Sequence, residues 1–202
     1  MKIKICGLNP TRDVQLCIDL KVNFLGFIFY DKSPRNLKIS DLDILKNYNK
    51  EKSSFVAVTV NPSDQLIKNL KTKKLDYIQL HGSESNRRIK EIKKNFELKI
   101  IKTIKVKTLQ DINKYEKFNN ADIILFDTPG MEKSIKFPKN LLKELPKGER
   151  FALAGGVSID SVKNLAKLGI KFFDLSSSVE SNIGYKDHNK IKAFMRKIND
   201  EN

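Results

Sequence analysis

Short β-prone runs alternate with amphipathic stretches along the whole chain, and that rhythm restricts the folds open to it. The strand candidates are Lys2–Cys6, Leu25–Phe29, Phe55–Val60, Tyr77–Leu80, Lys99–Ile104, Asp122–Asp127, Arg150–Ala154 and Phe172–Ser176. Most are rich in β-branched or aromatic residues and bounded by turn or charged residues. Helix candidates fill the intervals. Thr11–Lys21 carries Val14, Cys17 and Ile18 on one stripe, Glu84–Asn95 carries Ile89 and Ile92 with Phe96 just beyond, and Thr108–Phe118 carries Leu109, Ile112 and Tyr115. Asp41–Tyr48 follows an expected N-cap at Ser40, and Ser63–Lys71 follows Asn61-Pro62 as cap and first-turn proline. Ile159–Leu168 follows an expected cap at Ser158 and ends at Gly169; a short Lys139–Glu144 and a final His188–Ile198 complete the set.

Strict alternation of strand and helix implies a parallel sheet, because each parallel neighbour needs a crossover. Eight units without a low-complexity linker fit a single α/β domain, a (β/α)8 TIM barrel over residues 1–202. An open doubly wound sheet is the competing arrangement, but no Gly-x-Gly-x-x-Gly turn follows the first strand. No apolar run approaches the ~18 residues of a membrane span. The start, Met1-Lys2-Ile3-Lys4, has no signal-peptide core. The expected compartment is therefore the cytoplasm, with no membrane partner and with Cys6 and Cys17 as free thiols.

The formal net charge of +15 raises binding to nucleic acid. However, the lysines are scattered over nearly every expected helix, and arginine, the preferred base reader, is scarce. A solvated basic surface supplies nonspecific affinity only, so no specific nucleic-acid partner is expected. Such a surface could steer a small anionic substrate.

Barrel chemistry sits at the carboxyl ends of the strands. Here those ends are Cys6, the segment Phe29–Arg35, Asn61, His81, Thr103, Asp127, Gly155-Gly156 and Ser176-Ser177-Ser178. Loops after strands seven and eight form the usual phosphate site of this fold, so Gly155, Gly156, Ser177 and Ser178 are phosphate candidates. Cys6 and Asp127, at strand ends one and six of one mouth, suit acid and base work. Arg35 offers a guanidinium fork for a carboxylate. The chain has two histidines, and His188 falls at a helix start, so a histidine-cluster metal site is not expected.

Several segments, in order, resemble the phosphoribosylanthranilate isomerase family of tryptophan synthesis. They are Lys4-Ile5-Cys6-Gly7, Gly26-Phe27-Ile28-Phe29 with Ser33-Pro34-Arg35, Gln79-Leu80-His81-Gly82, Asp127-Thr128, and Leu153-Ala154-Gly155-Gly156-Val157. Asp174-Leu175-Ser176-Ser177-Ser178-Val179-Glu180, followed by Gly184-Tyr185-Lys186-Asp187, closes the series. The resemblance implies a cofactor-free and metal-free Amadori rearrangement of a phosphosugar substrate, with Asp127 as general acid and Cys6 as general base. It implies Arg35 on the anthranilate carboxylate and Gln79 and His81 lining the ring pocket. It leaves monomer and homodimer equally open.

Two positions depart from the family. Where it carries a Gly-Gly-Thr-Gly stretch in a mobile cover, this chain reads Pro129-Gly130-Met131-Glu132-Lys133-Ser134. Where it carries Ser-Gly after strand eight, this chain reads Ser177-Ser178. Two rival readings stand beside this one. The related sugar isomerase of histidine synthesis uses aspartates as acid and base, which Cys6 argues against. The other rival is a non-catalytic, nucleic-acid-binding barrel.

The first strand carries one more expectation. If Cys6 points into the mouth, the period of two turns Lys4 inward and Ile3 and Ile5 outward. A buried ammonium needs a carboxylate, from Asp127 or Asp174, and could help to hold Cys6 as thiolate.

Overall fold

The structure, a computed structural model, describes residues 1–129 and 136–199. Eight strands form a closed barrel in sequence order: β1 (Lys2–Cys6), β2 (Phe24–Phe29), β3 (Ser54–Thr59), β4 (Tyr77–Leu80), β5 (Lys99–Lys105), β6 (Ile123–Asp127), β7 (Phe151–Leu153) and β8 (Phe172–Leu175). Every adjacent pair is parallel, and β1 pairs with β8 to close the ring, placing Lys4 opposite Asp174. The barrel is the expected one; the open sheet is excluded by its closure.

The period of two sorts each strand as β1 predicts. Ile3 and Ile5 join the large apolar layer between barrel and helices, while Cys6 belongs to the smaller interior cluster with Phe24, Val56, Leu125 and Phe172. Phe24 stacks on Phe172 at 4.9 Å between ring centroids and meets Tyr77 edge-on at 5.4 Å. These aromatic rings fill the barrel interior, so the mouth is a pocket on a packed floor and not a pore.

The helices are α1 (Val14–Asp19), α2 (Asp64–Lys71), α3 (Asn86–Phe96), α4 (Leu109–Asn113), α5 (Val162–Lys167) and α6 (His188–Asn199). Several are shorter than the apolar periodicity suggests, and among the described residues four segments are 3-10 helix: Ile39–Asn47, Lys114–Lys117, Lys139–Glu144 and Ser177–Val179. Three expected caps shift. Ser40 lies inside its helical stretch, and Asp41 accepts from the Lys38 N–H at 2.8 Å instead. Asn61 takes a left-handed φ of 47°, and Ser63 caps α2 by accepting from the Leu66 N–H. Ser158 begins a turn, and α5 starts only after Ser161.

Beyond β8 the sequence reading also lacks a hairpin of β9 (Glu180–Asn182) and β10 (Tyr185–Lys186). Among the described residues, no helix is long and apolar enough to cross a membrane. The divergent loop after β6 lies, from Gly130 through Ser134, outside the described residues.

Candidate active site

A cleft of about 360 Å³ opens at the carboxyl ends of the strands, within the usual size of a small-molecule site. Its wall brings together the catalytic candidates Cys6 and Asp127, the substrate candidates Arg35, Gln79 and His81, and the phosphate candidates Gly155, Gly156, Ser177 and Ser178, whereas the strand-end residues Asn61 and Thr103 do not line it.

Cys6 sits above a buried ion pair. The Lys4 ammonium, 1% exposed, lies 3.0 and 2.9 Å from the two carboxylate oxygens of Asp174. This answers the need for a counter-charge: Asp174 supplies it, through the β1–β8 register. Burial opposes the Lys4 charge, but Asp174 and Cys6 outweigh it and hold its pKa above the ordinary value. Gly26, on the neighbouring strand, makes room. A Cβ there would lie 3.2 Å from both the Cys6 Sγ and the Lys4 Nζ, so the ammonium reaches the thiol across a bare backbone.

The thiol itself does not rest as thiolate. Burial pushes its pKa up; Lys4 and Lys186 pull it down and Asp174 adds to the rise, leaving it above the ordinary value. The effect of Lys4 thus has the expected sign, but burial wins the sum. Cys17 is pushed to about 12 by burial and is inert at neutral pH.

Across the mouth, Asp127 ends β6. Burial raises its carboxyl to about 7, against the Thr128 N–H at 2.8 Å and the charges of Lys4 and Lys105, with Asp174 adding to the rise. A carboxyl near 7 keeps a transferable proton at neutral pH. His81 faces it, with Nε2 3.6 Å from Oδ2. Burial and the nearby Lys105, Lys4 and Lys102 lower the imidazole to about 3, so it is neutral. The Gln79 amide nitrogen lies 3.4 Å from His81 Nδ1 and donates to Thr103 Oγ1 at 3.2 Å, while its oxygen is buried with no partner among the described residues.

Arg35 is already engaged. Its Nε and Nη2 donate to Glu180 at 2.7 and 2.6 Å, and Lys186 donates to the same carboxylate at 2.7 Å. The edge formed by Nη1 and Nη2 is what remains for a ligand carboxylate. Glu180 and Lys186 were not singled out by the residue pattern, since the pairing crosses 145 positions and arrives on the unforeseen hairpin. A second buried pair also escaped notice: Lys102 donates to Glu84 at 2.7 Å and to the Gly82 carbonyl at 2.7 Å, bracing the loop behind His81. A lysine amid Ile100-Ile101 and Thr103-Ile104 was its only signal.

At the end of the cleft where the sequence leads one to expect phosphate, Gly155 and Gly156 take φ values of 86° and 73°, the left-handed region that favours glycine. The helix N-terminus expected beside them is displaced, because α5 begins at Val162. Ser178 does not take a positive φ, so its side chain is tolerated without backbone strain. Its hydroxyl is buried and has no partner among the described residues.

A sequence profile of the N-(5'-phosphoribosyl)anthranilate isomerase family matches residues 3–197. The chain belongs to this family. An N-(5'-phosphoribosyl)anthranilate isomerase of Staphylococcus haemolyticus is 33% identical over 210 residues, covering 100% of both chains. One of Brucella canis is 32% identical over 212 residues, covering 100% of this chain and 96% of that one. Among solved structures, the phosphoribosylanthranilate isomerase of Thermus thermophilus superimposes with a TM-score of 0.90 at 22% identity, over 100% of each chain. A phosphoribosylanthranilate isomerase in complex with reduced 1-(o-carboxyphenylamino)-1-deoxyribulose 5-phosphate superimposes with a TM-score of 0.84 at 25% identity, over 99% of each. Family membership separates the chain from the sugar isomerase of histidine synthesis.

Proposed function

We propose that this chain carries out the Amadori rearrangement of N-(5'-phosphoribosyl)anthranilate in tryptophan synthesis, with Asp127 as general acid and Cys6 as general base. The observation that carries the reading is the pair itself: a carboxyl raised to about 7 and a thiol beside an ammonium, on the wall of one cleft. Asp127 donates its proton to the ribose ring oxygen as the C1–O bond breaks, and the anilino nitrogen's lone pair forms the C1=N bond. Cys6, as thiolate, then takes the C2 proton, and the C2–H electrons make an enolamine. Transfer of the enol proton to C1 gives the C2 ketone. Arg35 binds the anthranilate carboxylate through its open edge, with Gln79 and His81 beside the ring. Gly155, Gly156, Ser177 and Ser178 hold the phosphate, the far end of a phosphosugar ligand. Incubation with phosphoribosylanthranilate should extinguish its anthranilate-type fluorescence; no turnover above background would overturn the reading.

The two pKa directions set the pH dependence. The reactive form needs a proton on Asp127 and none on Cys6, yet the thiol holds its proton more tightly than the carboxyl. Below about 7, each pH unit raises the thiolate about tenfold while Asp127 stays protonated. Between the two values the gain in thiolate cancels the loss of acid, and above the thiol's value only the loss remains. The expected kcat/KM profile rises to about 7, levels, and falls only above the ordinary thiol range of about 8.5. A profile that falls through 7 would contradict the assignment.

Arg35→Ala is expected to raise KM by about tenfold or more, with a smaller change in kcat. Lys186 still faces Glu180, so the carboxylate is not stranded. A pure loss of kcat would rule out the carboxylate role.

A further inference from the structure

We propose that Lys136 is a ligand of the substrate phosphate, with the Ser178 hydroxyl as a second side-chain donor to the same group. The proposal rests on the isomerase reading of the cleft and adds one residue, Lys136, and a side-chain contact of Ser178 to its phosphate end. Lys136 is held against the glycine loop by its neighbour. Phe137 is 6% exposed, and its backbone N–H donates to the Gly155 carbonyl at 3.1 Å. The lysine stem crosses Gly156 so closely that a Cβ on that glycine would lie 3.0 Å from both the Cα and the Cγ of Lys136. The residue therefore lines the cleft together with Gly155, Gly156 and Ser178.

Among the cations that line the cleft, Arg35 and Lys136, charge accounting singles out the second. A phosphate monoester carries up to two negative charges. Lys4 is committed to Asp174, and Arg35 and Lys186 both face Glu180. Among the described residues, Lys136 has no carboxylate partner. A flexible ammonium suits a phosphate as a point charge, without the bidentate geometry an arginine needs. Ser178 is the independent second observation. A buried hydroxyl with no partner among the described residues is costly, and a phosphate oxygen at that place would accept from it. The serine that replaces the family's glycine would then be a contact.

The test uses the full-length chain and inorganic phosphate, with its Kd read by phosphorus NMR titration. Lys136→Met should weaken phosphate binding about tenfold, Lys136→Arg should restore most of it, and Ser178→Ala should weaken it about threefold. Lys46→Met, an exposed lysine in the 3-10 stretch Ile39–Asn47, should leave Kd unchanged and so separates a ligand from a diffuse surface field. A Kd for Lys136→Met within twofold of wild type, or an equal effect of Lys46→Met, overturns the proposal. Turnover of phosphoribosylanthranilate by the wild-type chain is scored separately. Its absence would overturn the isomerase reading, whereas intact turnover with an unmoved phosphate Kd would overturn Lys136 alone.

Discussion

Asp127→Asn should lower kcat by about 10²–10⁴-fold, the usual contribution of a positioned general acid. The amide keeps the shape of the side chain and can still accept from the Thr128 N–H, now 2.8 Å from Oδ1. What it loses is the proton that a departing ring oxygen needs. Affinity for a product analogue should change little, because the proposed phosphate and carboxylate contacts, at Gly155, Gly156, Ser177, Ser178 and Arg35, lie elsewhere on the wall. Rapid-mixing fluorescence measures ring opening, and equilibrium titration with the analogue measures binding. A variant that keeps most of its turnover would move the acid to another residue, with His81 excluded as donor of a charged proton by its neutral ring.

The second large effect is expected from Lys4→Met. It leaves Asp174 buried with only the more distant Lys186 as compensation, and removing one partner of a buried pair costs about 3–5 kcal/mol. It also removes the strongest influence lowering the Cys6 thiol pKa, so the thiolate fraction and kcat should fall by about tenfold or more. Urea unfolding reads the first effect, and thiolate absorbance against pH reads the second. Cys17, near 12, stays silent through the range in which Cys6 titrates. The double variant with Asp174→Asn separates the two effects. It should recover stability, since no charge is left unpaired, but should not restore the thiol's former value. An unchanged thiol pKa in Lys4→Met would end the claim of electrostatic support.

How far the fold was legible depends on the range of the forces involved. β1 and β4 match their expected bounds because alternation and flanking turns are local signals that tertiary packing did not override. The short helices did not behave so simply. Lys139–Glu144 was placed correctly as a segment, yet it winds as 3-10 helix, a difference that apolar spacing over six residues cannot encode. Caps failed where several serines and asparagines compete: Ser158, Asp160 and Ser161 all suit the start of α5, and packing of Val162 selects among them.

The candidate site was read in its parts and not in its wiring. Strand ends and the ordered motifs marked nine candidates, all of which lie on the wall, because the barrel delivers the strand ends to one mouth. Glu180 was quoted within a motif but given no role, since its partner Arg35 is fixed only by the closed ring. Lys102 with Glu84, and Lys136 over Gly156, likewise depend on contacts between separate units. The thiol's state could not be read from Lys4 alone. It is a balance of burial against charge, and burial is a property of the finished barrel.

The β1–β8 seam has a consequence for the order in which a nascent chain can be completed. Lys4 and its partner Asp174 are separated by 170 positions, and the seam is further tied by His188 to Asp13 at 3.1 Å and by Ser176 to the Cys6 carbonyl at 3.2 Å. At ~5–20 residues per second, a ribosome takes roughly 10–30 s to span that interval. Throughout it the first strand must keep its future interior lysine hydrated, with an unpaired edge beside it. The first strand synthesised is thus among the last to be sealed, and the Cys6 thiol becomes a buried one only when the eighth strand arrives.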